Sequence, residues 1–343
     1  MRSVKVAGLV AVLVCGVTAL EGAPGSESGK MRAIVIHAYG GPDVMKLEEV
    51  ARPEPAADEV LIHVVAASIN AVDVAIRKGY LAKLVGSFPL ILGMDAAGSV
   101  EKVGNKVTKC KVGDPVFAFF TLAGEGGYAE FVVANEDEVA AKPKTVNYAQ
   151  AAAAGAAGST AWEALVDTAK LSAGQTVLIH GGSGGVGHFA IQIAKARGAR
   201  VLATASSANQ DFLKQMGADI AIDYTKTKFE DVAKDIDVVL DSVGGDTLER
   251  SYGVVKKGGM IVSIVDEPKQ AALDEHQIRG VTLRCTPKAE VLQELARLMD
   301  SKTMTPVVSQ TFPLDQVVDA QKQIATRHTR GKIVLQVADE SKR

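Results

Sequence analysis

Apolar and polar positions follow three different rhythms along the chain. Arg2 and Lys5 precede an apolar run from Val6 to Leu20, followed by small residues at Val17-Thr18-Ala19 and Gly22-Ala23-Pro24-Gly25-Ser26. That order of charged, apolar and small residues is that of a secretory signal peptide, which predicts export or organelle targeting, and the run is short for a membrane span. A second reading starts the chain at Met31, which opens a strand-like MRAIVIHAYG and would leave the protein in the cytoplasm. From Met31 to about Ala141 the rhythm is that of short strands: Ala33–Ile36, Val44–Val50 and Glu59–Ala66, separated by Pro53 and Pro55. Turn-and-strand units follow at Gly93–Gly104, Val112–Phe117 and Gly126–Val133. Short strands with Gly and Pro turns predict a small barrel-like β domain.

The Ala-rich stretch Tyr148–Thr168 predicts a helix interrupted near Gly155 and Gly158. Beyond it, apolar runs alternate with helical periodicity. Strands are expected at Thr176–His180, Arg200–Ala205, Ile220–Asp223, Val238–Asp241, Met260–Val265 and Val281–Arg284. Helices are expected at His188–Arg197, closed by Gly198, at Asn209–Met216 and at Thr247–Val254. Six strands alternating with helices predict a doubly wound parallel sheet, so the chain is of the α/β class. Near the C-terminus Lys332–Gln336 is again strand-like and is expected to pair back onto the first domain.

Composition narrows the function. A length of 343 residues with 47% hydrophobic positions suits two domains with sizeable cores. With 38 basic against 40 acidic residues and no basic run, nucleic acid is not an implied partner. Of three cysteines, Cys15 lies in the N-terminal apolar run, and Cys110 and Cys285 sit in no C-x-x-C or Cys/His cluster. Neither a disulfide framework nor a metal lobe is implied. The six histidines show no metal spacing, and no Ser-His-Asp or paired-carboxylate arrangement stands out.

The chemistry concentrates between Gln175 and Gly198. Gly182-Ser183-Gly184-Gly185-Val186-Gly187 matches G-x-G-x-x-G, between an expected strand and an expected helix. In that context the glycines allow a tight turn, close approach of backbone to a pyrophosphate, and close helix–strand packing. An NAD site wants a carboxylate about 20 residues after the first glycine, to hold the ribose hydroxyls. No Asp or Glu occurs between Arg200 and Gln210, whereas Thr204, Ser206 and Ser207 offer hydroxyls to a 2′-phosphate. NADP is therefore the expected cofactor. Lys214 and Lys226 are candidates to reach the phosphate, Tyr224 to cover the adenosine, and the loop Val243-Gly244-Gly245 to pass the nicotinamide ribose.

Several stretches together carry a family resemblance: SINAVDVAIRKGY, LILGMDAAGSVEKVG, KVGDPVFA, GGYAEF, VLIHGGSGGVG, MGADIAIDY, DVVLDSVGG and HTRGKIVL. From Met31 onward the chain resembles the zinc-independent medium-chain dehydrogenases/reductases, the quinone oxidoreductase (zeta-crystallin-like) group. The resemblance implies a GroES-like domain over residues 31–150, completed by 306–343, and a Rossmann domain over 151–305. It further implies NADPH as hydride donor, quinones or α,β-unsaturated carbonyls as acceptors, and a homodimer built through the Rossmann sheet. Where zinc-dependent relatives place Cys, His and a third ligand, this chain has Asn70, Met94 and Ala156, which make no tetrahedral zinc site. In the same way the resemblance puts Asn70 beside nicotinamide and substrate as an amide donor, with Ala71 where a Pro is common. It puts Thr160 near the nicotinamide and brings Arg330-Gly331-Lys332 toward cofactor or substrate; Tyr80 is a candidate proton donor or cleft wall. The competing expectation is an NADPH-binding protein with a structural or sensing role and negligible turnover. Asn70→Ala separates the two, because only an enzyme has turnover to lose.

Overall fold

The computed structural model describes residues 29–122, 126–326 and 328–340, so the signal-peptide-like segment lies outside the described residues. One β layer is a seven-stranded sheet. Along it run Val308–Pro313, Lys332–Gln336, Glu59–Ile69, Asp95–Val103, Pro115–Phe119 and Val139–Ala141, with Phe131–Asn135 also pairing Glu59–Ile69. The central strand Glu59–Ile69 is buried along most of its length, and its pairing with Asp95–Val103 shifts register twice. Such bulges increase local twist and let a sheet curl into a barrel. A three-stranded sheet, Lys46–Ala51, Lys30–Ile36 and Leu90–Ile91, packs beside it.

The C-terminal strand enters this sheet antiparallel to Glu59–Ile69, with Ile333 opposite Ile69 and Val334 opposite Ser68. Two segments remote in sequence are thereby laid side by side, Ile69-Asn70 and Gly331-Lys332.

The second sheet is parallel throughout, in the order Ile220–Asp223, Arg200–Ala205, Thr176–Ile179, Ile236–Asp241, Val255–Ser263, Arg279–Thr282. Successive strands add outward on one side of Thr176–Ile179 and then on the other. The direction reverses between Thr176–Ile179 and Ile236–Asp241, which is where such folds hold ligands. Alternate residues of Thr176–Ile179 join different cores. Val177 and Ile179 pack into the large core shared with the first sheet, and Leu178 faces Leu202, Val239 and Ile261. A strand buried on both faces needs a continuous apolar run, and its sequence has one.

The Ala-rich stretch departs from expectation. It is one unbroken α-helix, Tyr148–Trp162, followed by a π-helical turn, Glu163–Thr168. Gly155 and Gly158 do not break it because they serve packing. A Cβ at Gly155 would lie 2.8 Å from both the Ala118 carbonyl oxygen and Asp95 Cβ, and one at Gly158 2.9 Å from a Leu295 methyl. The glycines let the helix press against the first sheet and against the helix Ala289–Asp300. That helix, with Gln270–His276 and Val317–Ala325, was not among the expected elements. Among the described residues no helix is long and apolar enough to cross a membrane.

Candidate active site

The glycine loop runs from the end of Thr176–Ile179 into the helix Gly187–Ala196. Its glycines differ in what surrounds them. A Cβ on Gly187 would meet the Gly181 carbonyl oxygen at 2.2 Å and Gly182 Cα at 2.7 Å, and one on Gly182 would meet Ala203 Cβ and Leu213 Cδ2 at 2.9 Å. These two let the helix sit tightly on the sheet. A Cβ on Gly184 would approach only the Gly181 oxygen, at 3.3 Å, and one on Gly185 chiefly the Lys332 stem, at 3.2 Å. The outer side of Gly184 is thus the roomier, the shape a pyrophosphate cradle requires, while Lys332 and Gly331 cover Gly185. Val186 is the N-cap residue, so the positive end of the helix lies at this loop, with the His188 N–H already donated to the Gly184 carbonyl at 3.2 Å.

Two buried histidines lock the loop. His188 donates from Nδ1 to the Gly184 carbonyl at 2.9 Å and accepts the Val307 N–H at Nε2 at 3.3 Å. His180 donates from Nε2 to Ser251 Oγ at 3.0 Å, since that hydroxyl spends its hydrogen on the Thr247 carbonyl. Its Nδ1 is then left to accept from the Thr204 hydroxyl at 3.2 Å. Burial in apolar surroundings pushes both imidazoles down to about 4, so both are neutral around pH 7.

The loop after Arg200–Ala205 carries the residues expected at the adenosine end, and the structure gives them unequal roles. Thr204 is buried, and its hydroxyl faces His180 and the Gly181 N–H rather than a ligand. Ser207 donates to Asp223 Oδ2 at 2.5 Å. This corrects the picture of a loop free of carboxylates: the neighbouring strand brings one in from 16 positions away. Hydrogen bonds from Ser207 and then Thr225 hold Asp223 down at about 2, so it is ionised. Ser206 accepts from Asn209 Nδ2 at 3.3 Å and keeps its own hydrogen to donate. Tyr224 is exposed beside the same strand end. Lys226 pairs with Asp223 at 3.5 Å, and Lys214 lies 4.0 Å from Asp211. The cation in direct contact with the loop is Arg330. Its Nε donates to Asn209 Oδ1 at 3.0 Å, its Nη2 donates to the Ala208 carbonyl at 3.1 Å, and its guanidinium lies over the Phe212 ring.

Arg330 belongs to a seam between the two sheets. Gly331 N–H donates to the Ser183 carbonyl at 2.9 Å. Thr305 N–H donates to Gln192 Oε1 at 2.8 Å, and Gln192 Nε2 donates back to the Thr305 carbonyl at 3.2 Å. At the head of the seam, Lys332 lays its stem against Gly185 and donates from Nζ to the Ile69 carbonyl at 3.0 Å and to Asn70 Oδ1. The ammonium has three hydrogens and these bonds use two. Burial lowers its pKa, while the carboxyls of Asp95 and Asp73 oppose that shift.

Asn70 is the N-cap of the helix Ala71–Arg77. Its amide Nδ2 donates to Asp95 Oδ2 at 3.1 Å and to the Ser68 carbonyl at 3.4 Å, so its hydrogens point into the protein. The expected amide donor is thus committed, and the uncommitted N–H at this spot belongs to Lys332. Asp95 is fully buried, and it accepts from Ser68 N–H and Oγ–H, Asn70 Nδ2 and Ala156 N–H. Sequence reasoning passed over Asp95, Ser68, Asp73 and Tyr128. Only Asp73 left a signal, its spacing three after Asn70, which makes a capping box.

The remaining expected residues lie as follows. Thr160 bonds back to the Ala156 carbonyl at 2.8 Å, on the helix that also supplies the N–H to Asp95. Val243 is half exposed in the loop after Ile236–Asp241, where Asp241 Oδ1 accepts the N–H groups of Val243 and Gly244. Ser242 and Val243 of that loop lie beside Gly181. Tyr80 is 75% exposed, its ring beside the Lys78 ammonium. Among the described residues no group of three His, Cys, Asp or Glu side chains is placed to hold a metal ion. Asn70, Met94 and Ala156 themselves are a donor set that does not fit zinc.

Comparison with known proteins places these features. An alcohol dehydrogenase GroES-like domain matches residues 56–144, and a zinc-binding dehydrogenase domain matches residues 216–335. The chain is 39% identical over 317 residues to an NADPH-dependent alkenal/one oxidoreductase, chloroplastic, of Arabidopsis thaliana, covering 89% of this chain and 79% of the relative. The chain belongs to the medium-chain dehydrogenase/reductase superfamily. Within it, a quinone oxidoreductase of Mus musculus is 36% identical over 322 residues, covering 88% of this chain and 96% of the relative. The solved quinone oxidoreductase from Coxiella burnetii superposes with a TM-score of 0.83 at 34% identity, covering 90% of this chain and all of that one. For a member of this superfamily, the two sheets are its GroES-like and Rossmann-type units, and the Asn70–Lys332 contact lies at their junction with the glycine loop.

Proposed function

We propose that this protein is an NADPH-dependent reductase of quinones or α,β-unsaturated carbonyls that works without zinc. The observation that carries the reading is the buried Lys332 ammonium. It is bonded to Asn70, its stem lies on Gly185 of the glycine loop, and it has one N–H left to give. The names of the Arabidopsis thaliana and Mus musculus relatives, an alkenal/one and a quinone oxidoreductase, support the same chemistry.

The nicotinamide cofactor, when bound, supplies the hydride. The chain's own part is positional and electrostatic. Gly184 leaves room for a diphosphate over the helix start, and the loop Val243-Gly244-Gly245 stands at the strand ends where the sheet order reverses. Lys332 presents positive charge where negative charge develops on a carbonyl or quinone oxygen, in a dry setting that strengthens its effect. Conjugated acceptors suit such a site, because the added charge spreads into an enolate or a hydroquinone anion without a Lewis acid.

Preference for NADPH over NADH rests on Arg330 rather than on the hydroxyls alone. Arg330 bonds Ala208 and Asn209, Ser206 lies on the same loop, and Tyr224 follows the neighbouring strand, its N–H on the Ala205 carbonyl. The strand Arg279–Thr282 ends the parallel sheet with one side unpaired among the described residues, and the homodimer we propose pairs this edge with that of a second copy. The test follows NADPH absorbance with the full chain against a quinone, a 2-alkenal, a cyclic enone and a saturated aldehyde, with NADH in parallel. Oxidation of NADPH by the conjugated acceptors, with little from the saturated aldehyde or NADH, is the expected outcome. Binding of NADPH without turnover on any of them refutes the reading in favour of a cofactor-binding protein.

A further inference from the structure

Behind the Asn70–Lys332 contact lies a second buried acid that the chemistry above does not use. Asp73 has no exposed surface. Its Oδ2 accepts the Asn70 N–H at 2.7 Å and the Tyr128 hydroxyl at 2.6 Å, and its Oδ1 has no hydrogen-bond partner among the described residues. Tyr128 is itself fully buried, on the loop beside Gly93. The charged and titratable groups facing Asp73 are Tyr128, Asp95 and Lys332, and on its own helix Arg77 turns away to Gln321 and the Gly40 carbonyl.

The charge balance is informative. Asp95 takes four donors and Lys332 carries one positive charge, so these two balance. A second anion at Asp73 would leave an oxygen bare in the interior and the cluster net negative, drawing on the field of Lys332. We propose that Asp73 is a positioning residue for the reduction: through the Asn70 N–H it fixes the Asn70–Lys332 contact, and in its protonated form it leaves the charge of Lys332 free to act on the acceptor. Burial, opposed by hydrogen bonds from Tyr128 and Asn70, raises Asp73 to about 7, so the switch falls around neutral pH. The neutral form is the competent one, and activity falls as the pH rises through that value.

The inference rests on the reductase reading for its kinetic arm only. The direct arm follows the carboxyl C=O stretch by difference infrared spectroscopy of the full chain without cofactor, from mildly acidic to mildly alkaline pH, in wild type and Asp73→Asn. A protonated-carboxyl band that disappears with a midpoint about 7 in wild type and is missing from Asp73→Asn is expected. Tyr128→Phe removes a donor to the carboxylate and moves the midpoint up. In the kinetic arm, wild-type kcat bends downward through the same midpoint and Asp73→Asn shows no bend. Asp73→Ala lowers kcat by about tenfold, Asp73→Asn recovers most of that loss, and KM for NADPH stays within about twofold. Absence of a titrating band, or the same bend in Asp73→Asn, overturns the proposal. So does an Asp73→Ala variant that loses thermal stability and keeps its kcat. If Asp73→Ala fails to fold, the isosteric Asp73→Asn carries the test. If wild type turns over no acceptor, the reductase reading fails and the infrared titration alone decides the state of Asp73.

Discussion

The four glycines of the G-x-G-x-x-G motif look alike in sequence and are predicted to respond differently to one added methyl group. None of Gly182, Gly184, Gly185 and Gly187 has a positive φ, so alanine is conformationally allowed at each and only space decides. At Gly187 the new carbon would lie 2.2 Å from the Gly181 oxygen and within 2.9 Å of two further backbone atoms. Reaching ordinary contact requires the helix start to back away from the loop by about 1 Å. Such overpacking typically destabilises by about 1–3 kcal/mol, and the better helix propensity of alanine returns up to about 1 kcal/mol. A thermal midpoint lower by about 2–8 °C is expected for Gly187→Ala. At Gly184 the single neighbour is the Gly181 oxygen at 3.3 Å, so stability changes by no more than about 0.5 kcal/mol. The methyl group there occupies the side open to a diphosphate, and the NADPH Kd rises about tenfold or more, a loss of about 1.4 kcal/mol. The assay is differential scanning fluorimetry of both variants without cofactor, followed by NADPH titration monitored by its fluorescence. Two results refute the reasoning. If Gly184→Ala binds NADPH like wild type, the loop does not cradle the diphosphate. If Gly187→Ala melts with wild type, close helix–strand approach is not what this glycine provides.

Three further outcomes follow from the same geometry. Arg330→Ala raises KM for NADPH about tenfold and leaves KM for NADH within about twofold, measured by steady-state kinetics; equal losses for both cofactors would make Arg330 a seam residue only. Thr204→Val removes the hydroxyl shared by His180 and the Gly181 N–H, lowers stability by about 1–2 kcal/mol in a melting experiment, and leaves the NADPH-to-NADH preference unchanged. Unfolded histidines bind a proton below about 6.5, and His180 and His188 in the fold only below about 4. Stability is therefore lost as pH falls through that window, by roughly 3 kcal/mol for each. Asp73, raised in the fold, binds its proton first and works in the opposite direction. The acid loss of melting temperature is therefore steeper in Asp73→Asn than in wild type, and equal slopes would contradict this assignment.

What the sequence discloses depends on how far apart the interacting residues lie. The parallel sheet was legible because each strand is a short apolar run with its own turn, and the glycine loop because its motif and both flanks are contiguous. The glycines of Tyr148–Trp162 misled because a glycine that ends a helix and a glycine that lets a helix approach a sheet are the same letter; only Asp95 and Leu295, brought in by the fold, separate the two cases. The amphipathic pattern of Ala289–Asp300, with Val291, Leu292, Leu295, Leu298 and Met299 buried, was present in the sequence and simply unread.

At the site the limit is more severe. Asn70 and Lys332 are 262 positions apart, and their contact exists only because the last strand pairs with Glu59–Ile69. Once the pairing is known, the partial charges follow. A buried ammonium in that register must find acceptors, the nearest are the Ile69 carbonyl and the Asn70 amide oxygen, and the amide nitrogen is then turned toward a carboxylate at Asp95. The amide that family likeness marks as a donor spends its hydrogens on Asp95 and Ser68, and its oxygen accepts from a lysine whose letter alone reads as surface charge. Ser207 and Asp223 repeat the pattern on the other sheet: parallel neighbours place a carboxylate against a hydroxyl that looked free for a phosphate. Local motifs specify where a ligand can sit; which atoms face it is decided by strand pairing.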